Sequence, residues 1–369
     1  MVKNKYHITI IVSILCLAGM YYVYNNIPLR TQIYRSICKG NWNLLADGDT
    51  VYATGYCGIR KYVVGNEEVQ LLAENETFLR HRIVGHGCAI KGNYLFLACR
   101  SYLAGPYQND KADYEGELIV LDKSQLKVVS EFALPSKMND AELCDSLLVL
   151  SGINRFYLFD VSQPTFPRKL YEHVSADYKE YQGCAVWKDA GRRYVAFTLF
   201  TQGIDIWDIT DAMSPRFIRN IALSEVCKGN KYIQTLDVKH HGHYLYATLA
   251  PMSQKYFKKE DVRGIVQVDV ANMNSISFNA YYIPREDYWK SMPGDAHPKS
   301  LSVYEDKVYV SAATSGAAIF EMKDGGLQYI GLKEISSDWD QIYPIVVTKN
   351  GCLVSGDWNW NKIYVTKLK

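Results

Sequence analysis

The imidazoles and thiols are the residues to weigh first, because both ligate transition metals. Lys239–His243 reads KHHGH and crowds His240, His241 and His243 together. No fourth ligand follows at metal-site spacing, so the run reads as a solvated turn. His86 and His297, taken with Cys88 and Cys184, form a better-mixed set. Imidazole and thiolate together suit copper or zinc, and that set defines an alternative reading as an exported metal-dependent oxidoreductase. The nine cysteines contain no CxxC pair. Several sit in apolar runs, where cysteine behaves as a small hydrophobe, and no disulfide framework is expected. No G-x-S-x-G nucleophile motif and no phosphate-binding glycine loop occurs. With 41 basic and 39 acidic residues the net charge is +2, without the concentrated basic surface that nucleic acids require. These residues assign no catalytic group, no metal and no cofactor.

What must position any such residue is a repeat. Arg155–Val174 (RFYLFDVSQPTFPRKLYEHV) and Gly203–Leu223 (GIDIWDITDAMSPRFIRNIAL) are each an apolar strand ending in Asp, a turn with Pro, and a second strand. Weaker copies lie at Glu117–Leu134, Gly264–Ile283 and Gly316–Ile335. A repeat of this size decides architecture before single residues do. A further hairpin precedes each copy, as in GCAVWKDAGRRYVAFTL and TLDVKHHGHYLYATL. Four strands per unit make a propeller blade. The units run roughly 42–78, 86–135, 138–174, 180–223, 232–284, 295–335 and 340–369. The expectation is an all-β, seven-bladed β-propeller with four-stranded antiparallel blades. The last unit has three strands, and an open edge is a liability. Thr31–Cys38 (TQIYRSIC) is expected to close it beside Lys362–Leu368. Asp122, Asp160, Asp208 and Asp269 recur once per unit at a turn, with Glu321 in the sixth, and are read as acceptors for turn N–H groups.

Aligning the first hairpins gives a ring of equivalent positions: Trp42, His86, Asn139, Gln182, Gln234, Lys299 and Tyr343. None is aliphatic. One pleat on come Leu44, Cys88, Ala141, Cys184, Leu236, Leu301 and Ile345. First strands line the central channel, so the ring is expected at one mouth, where it holds either a small polar ligand or channel water. Three insertions, Ser101–Gly116, Pro251–Arg263 and Arg285–Pro298, project from the same face and bring Tyr107, Tyr256 and Trp289 to the rim. Paired carboxylates for glycoside hydrolysis would have to come from Asp140, Asp237 and Asp295. Asp140 and Asp237 are one residue off the ring phase and are expected to point between blades.

The segments Tyr157–Ser162 with Pro164 and Pro167, and Ile204–Thr210 with Pro215, resemble the LVIVD-repeat β-propellers of exported and surface proteins. That resemblance implies fold and little about activity. Lys3 and Lys5 ahead of the apolar stretch Ile8–Val23 read as an export signal, either an uncleaved anchor, a cleaved peptide or, at Cys16, a lipidation site. The expected organisation is a signal anchor and tether over 1–30 and a propeller over 31–369. The expected function is a non-enzymatic, membrane-anchored, extracytoplasmic module binding a small polar ligand, a glycan, a peptide or a protein partner. An inert scaffold is the third reading.

Overall fold

The computed structural model describes residues 40–55, 58–65, 68–75, 82–101, 116–227, 233–251, 262–288, 298–312, 316–335, 342–357 and 362–368. They form seven antiparallel sheets in chain order. Blade 1 is β1 (Asn41–Asp47), β2 (Thr50–Gly55), β3 (Gly58–Val64) and β4 (Val69–Asn75). Blade 2 is β5 (Arg82–Lys91), β6 (Tyr94–Ser101), β7 (Gly116–Asp122) and β8 (Val128–Leu134). Blade 3 is β9 (Met138–Cys144), β10 (Leu147–Gly152), β11 (Arg155–Asp160) and β12 (Arg168–Val174). Blade 4 is β13 (Cys184–Asp189), β14 (Arg192–Thr198), β15 (Ile204–Asp208) and β16 (Arg216–Ile221). In blade 5 the inner strand is split into β17 (Ile233–Gln234) and β18 (Val238–His241), both paired to β19 (Tyr244–Pro251), followed by β20 (Gly264–Asp269) and β21 (Ser277–Tyr282). Blade 6 is β22 (Leu301–Tyr304), β23 (Lys307–Ser311), β24 (Ala317–Lys323) and β25 (Gly326–Lys333). Blade 7 has three strands among the described residues, β26 (Ile342–Val347), β27 (Cys352–Asp357) and β28 (Ile363–Lys367). Among the described residues two four-residue helices, α1 (Leu223–Val226) and α2 (Arg285–Tyr288), sit in the links after blades 4 and 5. The seven-bladed propeller expected from the repeat is the fold.

The core lies between the blades. Each pair of neighbours shares one apolar cluster, and the set runs round the ring. Phe156 of β11 is fully buried and meets Phe197 of β14 at 4.7 Å and Trp207 of β15 at 5.1 Å across the blade 3–4 interface. The ring closes between blades 7 and 1, where Leu44, Val51 and Ala53 bury against Cys352 and Val354. Asn41 donates through Nδ2 to the Lys362 carbonyl at 3.1 Å, and Gly356 lies so close that a Cβ there would meet Asn41 Cβ at 2.8 Å. Asp122, Asp160, Asp208 and Asp269 each accept the N–H two residues on, at 2.9 Å, the turn role read from the repeat. The hydroxyl of Ser124 and the N–H of Ser162 hold the Asp122 and Asp160 carboxyls below the usual range. Six cysteines, Cys88, Cys99, Cys144, Cys184, Cys227 and Cys352, are buried free thiols.

The segment 1–30, the segment Thr31–Cys38 expected to close blade 7, and Tyr107, Tyr256, Trp289 and His297 lie outside the described residues. No helix among the described residues is long and apolar enough to cross a membrane.

Candidate functional site

The innermost strand of each blade is a sheet edge, so its outward N–H and C=O groups need partners. Side chains of the preceding blade's inner strand supply some of them. Asp140 Oδ2 accepts the Cys184 N–H at 2.8 Å, and Asp237 Oδ2 accepts the Leu301 N–H at 2.9 Å. Ser300 and Ser302 do the same for Ile345 and Val347, at 3.4 and 3.1 Å. Both aspartates therefore reach from one blade to the next, as their phase implied. Asp140 fits because Gly87 stands beside it in blade 2: a Cβ there would fall 1.4 Å from Asp140 Oδ1.

Hydroxyls on the second strands set the inner-strand register. Thr198 Oγ1 accepts the Gly183 N–H at 2.8 Å and donates to the Leu236 carbonyl of blade 5 at 3.1 Å. Thr248 Oγ1 accepts the N–H groups of Leu236 and Asp237. Ser311 Oγ accepts those of Lys299 and Ser300. Ser151 Oγ donates to the Gln182 carbonyl at 2.7 Å. These contacts make Asp140, Gly183, Asp237 and Ser300 equivalent positions.

The axis of the ring holds a cavity of about 590 Å³. Trp42, Gln182, Lys299 and Tyr343 line it, together with Arg100 and Glu180. Lys299 Nζ sits 4.0 Å from the centre of the Tyr343 ring, a cation–π contact. Gln182 Nε2 donates to Glu180 Oε1 at 2.6 Å. Two expected ring members stand elsewhere. Asn139 is fully buried, donating to the Tyr181 carbonyl at 2.6 Å and accepting from Arg100. Gln234 is buried in β17 and donates to the Pro251 carbonyl at 3.0 Å. Its alignment was one pleat too early: the first hairpin of blade 5 is as long as those of blades 3 and 6, and Leu236 takes the equivalent place on the cavity wall. The backbone of His86 lies in β5; its side chain lies outside the described residues.

One pleat on from the ring, Leu44, Cys88, Ala141, Cys184, Leu301 and Ile345 belong to the cores shared with the preceding blade. The opposite phase also lines the cavity and carries a charge cluster that sequence reasoning missed. Glu142 and Lys239 lie one pleat beyond Asp140 and Asp237 in β9 and β18. Lys239 Nζ stands 3.1 Å from Glu142 Oε1 and 3.6 Å from Asp237 Oδ1. This pair spans from blade 5 to blade 3. It passes over blade 4, where Gly183 and Ala185 occupy the equivalent positions and leave room. The D-x-E of Asp140–Glu142 and the D-x-K of Asp237–Lys239 were the available signal. KHHGH is accordingly less of a solvated turn than expected: Lys239 lines the channel, and His240 stacks on Trp187 at 5.2 Å and 10°.

Burial pushes the Asp140 carboxyl up to about 7; Lys239 pulls it back, while Glu142 and Asp237 raise it. Cys88 is pushed up to about 12 by burial and by Asp140, although Asn43 Nδ2 donates to its sulfur at 3.4 Å. Cys184 moves the same way for the same first reason. Thiols held protonated are poor metal ligands at neutral pH. Among the described residues no three His, Cys, Asp or Glu side chains converge in a metal-binding geometry.

No protein-family model matches the chain, and no curated protein matches it in sequence. Solved structures do match. The β-propeller domain of Cps50 (Swd1) from Myceliophteria thermophila superposes with a TM-score of 0.60 at 12% identity, over 90% of this chain and 97% of that one. The WD40 β-propeller domain of Doa1 gives 0.57 at 7%, over 90% and 94%. A chain of the mitotic checkpoint complex gives 0.59 at 11%, over 88% and 89%. At these identities the likeness is one of fold.

Proposed function

We propose that this propeller is a non-enzymatic binding module of LVIVD type, exported and held at the membrane through residues 1–30, that takes a carbohydrate, a peptide or a segment of a surface protein at its channel mouth. The observation that carries this reading is the axial cavity of about 590 Å³ lined by Trp42, Gln182, Lys299 and Tyr343. That volume lies in the range of small-molecule and peptide side-chain pockets. Its lining carries both signs of charge: Arg100 and Lys299 with Glu180, and Lys239 with Asp140, Glu142 and Asp237. A peptide segment, which also carries both signs, complements such a lining better than a neutral glycan does. Propellers host many unrelated activities, so the site and not the fold identifies the ligand.

The test is a Gln182→Ala, Lys299→Ala double variant, measured against peptide and glycan panels. Neither side chain belongs to an apolar core between blades, so the fold should persist by circular dichroism. Affinity for the best peptide should fall about 100-fold, roughly 2.7 kcal/mol. Equal affinity in the double variant would remove the channel mouth as the site.

A further inference from the structure

Strands alternate in direction through each blade, so the turn after the first strand and the turn after the third open on one face, opposite the channel mouth. That face displays two apolar knobs. Phe166, in the β11–β12 turn of blade 3, is 74% exposed, and Met213, in the β15–β16 turn of blade 4, is 72% exposed; among the described residues no large apolar side chain is more exposed. Bonded turns hold both out. The Phe166 N–H donates to the Gln163 carbonyl at 3.0 Å, and the Met213 N–H to Asp211 Oδ1 at 3.0 Å. A scattered exposed apolar residue needs no explanation, but here the same face also carries a socket. Between the β18–β19 turn of blade 5 and the β24–β25 turn of blade 6 lies a pocket of about 300 Å³, walled by His241, His243, Tyr244, Tyr246 and Met322. A cavity of ~150 Å³ holds benzene, so a phenyl ring has room there. Lys323 and Asp324 stand exposed on its rim. The knob has a matching pair: Arg168, two residues after Phe166, bridges Asp160 at 3.2 Å.

Charge divides this face in two. The turns of blades 2 to 4 expose Lys127, Arg168, Lys169, Lys188, Arg192 and Arg216, against Asp145, Asp189 and Asp211. The turns of blades 6, 7 and 1 expose Asp49, Glu68, Glu305, Asp306 and Asp324, against Lys323 and Lys349. One half is therefore in cationic excess and the other in anionic excess. We propose that this face pairs with the same face of a second copy, the Phe166 side chain of each entering the pocket between blades 5 and 6 of the other. Self-complementarity selects this occupant. An anionic membrane or an acidic protein suits the cationic half and is repelled by the other, whereas a second copy offers each half its opposite. A two-fold axis lying in the face exchanges knob and pocket, which closes the pair at two copies. Blade 4 stands between blade 3 and the pocket, so Met213 falls near that axis and meets its own counterpart. The same rotation sets Arg168 against Asp324, and Lys127 of blade 2 toward Glu305 and Asp306 of blade 6. The channel mouths face outward from the pair, so the pairing stands whether or not the channel binds a ligand.

Sedimentation equilibrium of the full-length protein in detergent micelles tests it. The parent should be dimeric at about 10 μM, and Phe166→Asp should weaken the pairing at least about 100-fold. Arg168→Glu and Asp324→Lys should each be largely monomeric. An equimolar mixture of those two variants should dimerise as the parent does, because a mixed pair holds one Glu–Lys and one Arg–Asp contact. Circular dichroism checks that each variant is folded. Asp324 has φ 52°, so Asp324→Asn, which suits that backbone, stands in if lysine is not tolerated and should weaken the pairing about tenfold. A parent that stays monomeric up to about 100 μM overturns the proposal. A dimer indifferent to Phe166→Asp overturns it too, by assigning the contact to another part of the chain. A mixture that stays monomeric refutes the two-fold pairing of Arg168 with Asp324.

Discussion

At the residue scale, this propeller depends on hydroxyls that carry no functional signature. Thr198 is fully buried and serves two blades at once, accepting from Gly183 and donating to the Leu236 carbonyl. Valine has nearly the same shape and neither capability. Thr198→Val should therefore destabilise the fold by about 1–3 kcal/mol, the cost of stranding buried polar groups. A urea titration followed by tryptophan fluorescence would measure this as a lower midpoint at unchanged slope. A variant within about 0.3 kcal/mol of the parent would mean that water replaces the hydroxyl. Thr248 and Ser311 repeat the device in blades 5 and 6. In the sequence they look like ordinary strand residues at the end of an apolar run. Their role is invisible there because it depends on which backbone N–H groups the inner strand leaves unpaired.

At the scale of the element, the inner strands explain both what the sequence revealed and what it hid. Period-two alternation was plain in every first hairpin, and it placed Trp42, Gln182, Lys299 and Tyr343 on the cavity. Which phase faced the channel was not plain, because an inner strand has neighbours on both faces and polar residues occur on each. Gln234 was set one pleat too early because hairpin length varies: Gln182 lies seven residues before the end of its strand, whereas Leu236, like Asn139 and Lys299, lies five before. The missed channel charges titrate in a testable way. Asp140, pushed up to about 7, holds a proton in the fold that an unfolded carboxylate releases near pH 4. The folded state thus binds more protons over that window, and its stability falls as pH rises through it, by at most about 4 kcal/mol. His240 works oppositely. Burial, then His241 and His243, bring it down to about 4, so the unfolded chain binds the extra proton and stability rises with pH up to about 6.5. The two slopes offset in the parent. Asp140→Asn removes one of them, so its urea midpoint should climb more steeply than the parent's from about pH 5 to about pH 7.5. Parallel profiles would show that Asp140 is ionised throughout.

At the scale of the whole molecule, the ring was the most legible feature, because a repeat announces itself through spacing rather than through any single side chain. The first and last blades kept only the hydrophobic pattern, yet the units 42–78 and 340–369 could still be counted along the chain. The closure itself rests on particular atoms. Asn41 is buried and bonded to the carbonyls of Asp357 and Lys362, across sequence separations of 316 and 321 residues. Asn350 Nδ2 donates to the Val64 carbonyl at 3.0 Å in the same seam. Asn41→Ala should destabilise the domain by about 1–2 kcal/mol and raise the unfolding rate more than it lowers the folding rate, since a contact this distant forms late. Stopped-flow measurement in urea would separate the two limbs; a change confined to the folding limb would place closure before the transition state.

That seam also imposes an order on synthesis. Blades 2 to 7 can stack on their predecessors as they emerge, each interface joining neighbours in the sequence. The apolar face of blade 1, with Leu44, Val51 and Ala53, has its partner in Cys352 and Val354 near the far end of the chain. A ribosome adding about 5–20 residues per second takes roughly 15–60 s to travel between them. For that interval the growing arc carries an unsatisfied apolar flank at its first blade, and chaperone capture or mispairing with a neighbouring chain acts there, on the part of the protein that is made first and finished last.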